Sequence, residues 1–256
     1  MKNDKDEHIL CNRFKDLANT AYHRGICTFT DFLNLNEQGL LLSIKKELPM
    51  IQYFTFGGYS EAERKMLCFC GDETITNQES VDFPITCIKI SPQNEKFSDD
   101  LSHPDFLGAT IHLGIDRCKL GDILINEKEG YLFCSNTIKD FLLDNIIKVK
   151  HTNVSTSVTP MIAFDYKPKL KEMSGTVSSI RLDSVLSVAF NTSRSSLTGL
   201  IEGGKVFVNS KEVLSNSYTL KENDIISVRG FGRFIYRGTS KMTKKGRYSI
   251  TISLYI

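Results

Sequence analysis

Between residues 81 and 160 the chain alternates short β-prone runs with apolar-faced helical runs, in an order that permits few folds. Residues 85–90 read as a strand. Ser102-His103-Pro104 opens a helix, with the serine as cap and the proline in the first turn, and Phe106, Leu107, Thr110, Ile111 and Leu113 supply its apolar face. Residues 122–125 and 131–134 are strands around a turn at 127–130, residues 137–146 a second helix, and residues 147–154 a last strand. The order is β-α-β-β-α-β, the split β-α-β pattern.

The segment before it, residues 1–80, reads as a small α/β subdomain. Ile9, Leu10, Phe14, Leu17 and Ala21 form one buried stripe of a helix that Gly25 ends. Thr30 caps a short turn through 31–35, and Asn36 caps a helix carrying Leu40, Leu41, Ile44 and Leu48, stopped by Pro49. A strand at 51–56, a Gly57-Gly58 turn, a short helix at 60–65 and a strand at 66–70 follow.

A composition of 41% hydrophobic and 24% charged residues excludes a disordered or fibrous chain, and 256 residues suit two compact units, with room for a small third. No run approaches about 18 apolar residues, so no membrane span is expected. Residues 1–7 are charged and lack the apolar core of a signal peptide, which points to the cytoplasm. The seven cysteines are odd in number, scattered, and free of any C-x-x-C pair. They read as reduced structural thiols, and no zinc or other metal site is expected.

Charge is unevenly distributed. Residues 1–180 carry 20 Lys/Arg against 25 Asp/Glu, whereas residues 181–256 carry 12 against 5, and from Arg229 onward there are seven basic residues and no acidic one. A basic module on a mildly acidic body suits a polyanionic partner, whose phosphates such charge attracts.

In that module Leu182, Val185, Leu186 and Ala189 place a stripe on one helix. Ser193 caps a second helix over 194–201, and Gly203-Gly204 ends it. Residues 206–208 and 225–228 are strands, the first followed by an Asn209-Ser210 turn. The stretch resembles the RNA-binding module named after ribosomal protein S4. The matching residues are Arg181-Leu182-Asp183, Ser193-Arg194-Ser195, Leu200-Ile201, Gly204-Lys205-Val206-x-Val208-Asn209 and Asp224-Ile225-Ile226. Ser210 stands where many members have glycine, and Glu222-Asn223 where many have Pro-Gly. The resemblance implies an RNA-binding set of Arg181, Ser193, Arg194, Ser195, Lys205, Asn209 and Lys211. The basic strip, Arg229, Arg233, Arg237, Lys241, Lys244, Lys245 and Arg247, would extend it as a phosphate-contacting tail. Independently of the family, a helix start offers unpaired N–H groups and a positive dipole end to phosphate. A salt bridge to Asp183 is an alternative role for Arg181.

The β-α-β-β-α-β segment is similar to the ferredoxin-like fold that houses the RRM class of RNA binders. Its third strand, YLFCSN, lacks the Arg-Gly-aromatic alternation of a base-stacking RRM. Tyr131 and Phe133 either stack bases or pack as core. The reading is α+β: an N-terminal α/β subdomain (1–80), an RRM-like domain (81–160), a connection containing a strand with Gly175 as hinge (161–180), and an S4-type domain of two helices on a small sheet with its basic strip (181–256).

FGGYSEAERK at 56–65, SHPDFLGATIHLGIDRCKLGDI at 102–123 and the terminal S4-type module together resemble the YlmH family of bacterial RNA-binding proteins, and also a photosystem II S4-domain group. Pro104 stands where the family usually has arginine. The resemblance implies a role on the large ribosomal subunit with peptidyl-tRNA, in quality control of stalled translation. Partners are then structured RNA, both rRNA and tRNA, with neither membrane nor DNA. The gene neighbourhood of the family leaves a division-linked adaptor as an alternative.

Enzyme signatures are incomplete. Arg181-Leu182-Asp183 and Thr198-Gly199-Leu200 imitate pieces of a pseudouridine-synthase frame but lie on separate helices. His112-Leu113-Gly114-Ile115 and the lysine-rich 241–245 imitate adenylate-forming signatures without a nucleotide-binding βαβ unit, and neither Gly-Gly pair sits in a methyltransferase loop. The expectation is a binder without catalytic residues or cofactor; the rival is an RNA-modifying enzyme built on the split β-α-β domain. Asp105 of Ser102-His103-Pro104-Asp105 favours the helix's positive end, and Arg117 contacts RNA or a neighbouring strand.

Overall fold

The computed structural model describes residues 2–161, 169–243 and 246–255, with the backbone alone for residues 2–4, Arg194 and Lys241. Two compact units result, Met1–Tyr166 and Lys167–Ile256.

The first unit begins with α1 (Lys2–Arg24), β1 (Cys27–Phe29), α2 (Leu35–Ile44), β2 (Gln52–Phe56) and β3 (Met66–Cys70). The strands form an antiparallel sheet of order β1-β3-β2. Phe14, Leu17, Ala18 and Ala21 of α1 bury against Leu41 and Ile44 of α2 and Leu67 and Phe69 of β3, while Ile9 of the expected stripe is exposed. The cap of α2 is Asn34 rather than Asn36. Asn34 Oδ1 accepts from Glu37 N at 3.0 Å and Glu37 Oε2 from Asn34 N at 2.7 Å, a reciprocal capping box that satisfies two donors at once.

The unit continues with β4 (Ile85–Pro92), α3 (His103–Ile111), β5 (Leu120–Asn126), β6 (Glu129–Ser135), α4 (Lys139–Asn145), β7 (Lys148–Val149) and β8 (Thr152–Thr159). These strands make an antiparallel sheet of order β5-β6-β4-β8-β7. The last expected strand, 147–154, is instead a hairpin: Lys150 takes φ 55° at its tip, and β8, running on to residue 159, pairs with β4.

Pleating separates the two faces of this second sheet. Leu132 and Cys134 of β6 pack with Phe106 of α3 and Leu142 of α4. Phe133 and Cys87 point the other way, into a core shared with Phe32, Tyr59, Ala62, Met66 and Cys68. Residues 1–80 and 81–160 therefore meet through a common interior, and the unit is layered as helices, sheet, sheet, helices. All seven cysteines are free; Cys68, Cys70, Cys87 and Cys134 are buried and Cys118 is exposed. Burial pushes the Cys87 and Cys134 thiols up to about 12, as for small apolar groups.

The second unit comprises β9 (Leu170–Val177), α5 (Leu182–Ala189), α6 (Arg194–Glu202), β10 (Val206–Val208), β11 (Lys211–Glu212), β12 (Ile225–Val228), β13 (Gly232–Met242) and β14 (Tyr248–Tyr255). Its antiparallel sheet has the order β11-β10-β12-β13-β14-β9. Leu182, Val185, Leu186, Leu197 and Ile201 of the two helices cover Val206, Val208, Ile226, Val228, Phe234, Tyr236, Ile250 and Ile252 on one face of that sheet. Two expectations change here. The strand of the connection, β9, is an integral outer strand paired along its length with β14. The basic strip is mostly a hairpin, because Phe234, Tyr236, Ile250 and Ile252 share one face and bury in the core of this unit.

Candidate nucleic-acid interface

The start of α6 is an exposed polar surface. Ser193 takes extended dihedrals, and its Oγ accepts from Ser196 N at 3.4 Å while lying 3.1 and 2.9 Å from the Ser195 and Ser196 hydroxyls. Leu197 and Ile201, fully buried against α5, fix the helix axis. Arg194 is the first helical residue. The first N–H groups of a helix have no intrahelical acceptor and carry its positive dipole end, so this terminus offers an anion directed donors as well as hydroxyls.

At the opposite end of α6, Gly204 (φ 66°) turns the chain into β10 and places an exposed Lys205. The Lys205 carbonyl accepts from Arg229 N at 2.9 Å, so these two cationic residues sit side by side where β10 starts and β12 ends. The Arg229 guanidinium lies 4.8 Å from the Phe207 ring centroid, and that of Arg233 4.9 Å from Tyr255. Phe207, Ser227 and Arg233 are register partners, alternate with the residues packed on the helices, and so occupy the sheet's other face. Arg237 shares that face. Its Nε donates to Ser253 Oγ at 2.9 Å and its Nη1 to Asn223 Oδ1 at 3.1 Å.

The remaining residues divide by role. Lys211 is exposed on the edge strand β11. Arg181 caps α5 with its backbone, and its Nε lies 3.4 Å from Asp183 Oδ1, so the ion pair considered for it forms. Arg247 donates from Nη2 to Thr176 O at 2.8 Å, which ties it to β9. Lys241 falls on the backbone of β13, and Lys244 and Lys245 lie outside the described residues. Asn209 is committed to the fold. It takes φ 49°, its Nδ2 donates to Asp224 Oδ1 at 2.9 Å, and its Oδ1 accepts from Ile225 N at 2.9 Å. Ser210 (φ 67°) and Asn223 (φ 68°) adopt the left-handed backbone for which glycine is the default residue, so both turns keep their shape.

Aromatic residues of the first unit are used differently. Phe133 is fully buried and stacks on Tyr59, ring centroids 5.2 Å apart at 29°. Gly58 (φ 103°) passes so close that a Cβ would lie 2.2 Å from the Phe133 ring. Tyr131 is half-buried, its hydroxyl donating to Glu129 Oε2 at 2.8 Å, while Lys89 bonds Glu129 Oε1 at 2.7 Å. Of the two readings of this strand, the packed one holds for Phe133.

The motifs at 56–65 and 102–123 form the clasp between the two sheets. Asp122 Oδ2 accepts from Tyr59 Oη at 2.9 Å and Glu63 N at 2.7 Å, and Oδ1 from Arg64 N at 3.2 Å. With its N–H groups drawn onto this carboxylate, 60–65 is a turn instead of the expected short helix. Arg64 donates to the carbonyls of Leu120, Phe32 and Arg117, and Arg117 to those of Leu120 and Gly121. Burial holds the Arg117 guanidinium down at about 10. Arg117 thus grips backbone. Sequence reasoning missed Asp122, whose signal was a single carboxylate inside the apolar run LGDILI. Asp105 accepts from Ser102 N at 2.9 Å and Ser102 Oγ at 2.6 Å, and these bonds hold its carboxyl below the usual range. The Ser-His-Pro-Asp motif is a helix cap, and no metal-holding cluster occurs among the described residues.

Residues 78–162 match the family model described as "Putative RNA-binding domain in YlmH", and residues 180–226 match the S4 domain. A Bacillus subtilis (strain 168) protein, "Ribosome-associated protein quality control protein P2", is 31% identical over 248 residues, 96% of this chain and 95% of its own length. The chain belongs to the YlmH family. A solved chain titled "Cell division protein ylmH from Streptococcus pneumoniae" is 20% identical with TM-score 0.49, covering 61% of this chain and 93% of that one. This YlmH-family member is an RNA-binding α+β protein with an S4 domain. The S4 match ends at Ile226, so β9 and the β13–β14 hairpin extend the sheet beyond it.

Proposed function

We propose that the protein is a non-enzymatic, cytoplasmic binder of rRNA and tRNA on the large ribosomal subunit, acting in quality control of stalled translation. Its full-length similarity to a protein named for ribosome-associated quality control carries this reading. The S4 domain supplies the grip. Phosphates of a structured RNA take the N–H groups and hydroxyls at the start of α6, with Arg194, Lys205 and Lys211 as counter-charges, and recognition is by backbone shape. Arg229 widens the cationic edge beside Lys205. The five-stranded sheet of the first unit, with β4 between β6 and β8, supports an RRM-like reading of residues 81–160. Phe133, buried in the shared core, is not part of a base-stacking face there. Arg181 and Asp183, which imitate part of a pseudouridine-synthase frame, open α5 and pair with each other, which favours binding over chemistry.

Co-sedimentation through a sucrose gradient tests this, comparing wild type with the Arg194→Glu, Lys205→Glu pair after confirming that the pair is folded. Wild type is expected with the large subunit and the double variant at the top of the gradient. Wild type remaining at the top, with stalled complexes supplied, overturns the ribosomal reading.

A further inference from the structure

Between β12 and β13 the chain turns through Gly230 (φ 84°), Phe231 and Gly232 (φ 124°), and Phe231 N closes the tip on Val228 O at 3.1 Å. Phe231 is 45% exposed. Its ring meets Phe190 edge-on, centroids 5.6 Å apart at 61°, and Phe190 meets the fully buried Phe234 at 5.8 Å and 73°. Three rings therefore run in contact from the core to solvent, and the outermost is held in place with much of its surface uncovered. Phe190 is also where α5 ends: Thr192 Oγ1 donates to the Phe190 carbonyl at 2.9 Å, and Ser193, three residues on, caps α6. The exposed ring thus stands on the same short connection that presents the phosphate-binding helix start. Arg229 and Arg233 flank it in sequence, and no acidic residue occurs from Arg229 to Ile256.

We propose that Phe231, braced by Phe190, is a stacking platform for an unpaired RNA base. The inference rests on the RNA-binding reading of this unit and deepens it by naming what the site takes: a nucleotide whose base is out of a duplex and whose phosphate lies toward Arg229 or the start of α6. Charge complementarity selects this occupant over an apolar peptide, because a segment with seven basic and no acidic residues from Arg229 to Ile256 attracts a polyanion that carries flat π-faces. Base stacking on an aromatic side chain is sequence-tolerant, so the platform reads single-strandedness rather than sequence. Phe231 lies outside the matched S4 segment, in the turn that leads into the added hairpin.

The chain contains no tryptophan, so Phe231→Trp gives the full-length protein a single indole at the site. It is titrated with an RNA hairpin bearing an unpaired loop and with a fully paired RNA duplex of equal length, both end-labelled so that affinity is measured independently. The expected result is quenching of indole emission by the looped hairpin and not by the duplex. Phe231→Ala is expected to weaken looped-hairpin binding about tenfold with an unchanged slope of log affinity against log salt. Phe231→Tyr is expected to restore binding, and Arg229→Gln to lower that slope by about one. Unchanged affinity in a folded Phe231→Ala protein overturns the stacking platform alone. Loss of RNA binding by wild type to both probes overturns the RNA reading along with it. A preference of Phe231→Trp for duplex, or equal quenching by both probes, rejects the unpaired base as occupant.

Discussion

Each unit of the molecule has a sheet with two helices on one face, and the two differ in what the other face does. In the first unit β6 turns Phe133 into a second sheet, and the Asp122 carboxylate with the Arg64 and Arg117 guanidinium groups holds the layers together. In the second, the corresponding face carries Phe207, Arg233 and Arg237 among polar partners. A strand aromatic is therefore no sign of base recognition by itself; its neighbours decide. The difference is written in the strands. MLCFC of β3 and YLFC of β6 are continuously apolar, as strands covered on both faces must be, whereas YSITISLY of β14 alternates.

The comparison breaks most decisively at the clasp. Asp122→Ala leaves the Glu63 and Arg64 N–H groups without their acceptor and two half-buried guanidinium groups without the nearby carboxylate. It is expected to lower the stability of the first unit by about 4 kcal/mol. Urea unfolding followed by probes in each unit should show the transition of residues 1–166 moving and that of the second unit staying. A first-unit midpoint equal to wild type would sink the clasp.

A smaller effect is expected in the second unit from Asn209→Ala, which loses both amide bonds and places alanine at a left-handed φ. The expected cost is about 2 kcal/mol, with Asn209→Gly recovering the backbone share. RNA affinity per folded molecule should not change, as titration of labelled RNA at equal folded concentration would establish. A selective loss of affinity would return Asn209 to the RNA-contacting set that its sequence position implies.

The smallest effect sharpens the contrast. The pair Lys89→Ala, Tyr131→Ala, on the covered side of the first unit's second sheet, is expected to change RNA affinity less than about twofold, against the large loss from a charge reversal at a phosphate-contacting residue. A loss comparable to that of Arg194→Glu, Lys205→Glu would mean that this sheet contacts RNA after all.

Much of the fold was legible because the signals are local. Ser102 and Ser193 cap the helices expected of them, 66–70 is a strand as read, and Gly203-Gly204 ends α6. Local signals also mislead where a better local alternative lies two residues away, as Asn34 with Glu37 does for Asn36. Of the expected RNA-contacting residues, Ser193, Ser195, Lys205 and Arg229 are exposed around α6 and the β10–β12 edge, whereas Asn209 and Arg247 are engaged in tertiary bonds.

By itself the sequence determined the starts of α3 and α6, the left-handed turn that ends α6, and the concentration of positive charge in the last 76 residues. These depend on neighbours within a few positions, or on composition alone. Only the tertiary structure decided that residues 1–80 close over Phe133, that the basic strip folds back as β13 and β14 onto β9, and that Asp122 is a clasp. Each of those outcomes joins groups about 60 to 80 residues apart, as between Glu63 and Asp122 or Thr176 and Ser249. No local propensity encodes such a pairing; burying both partners of a covered face selects it.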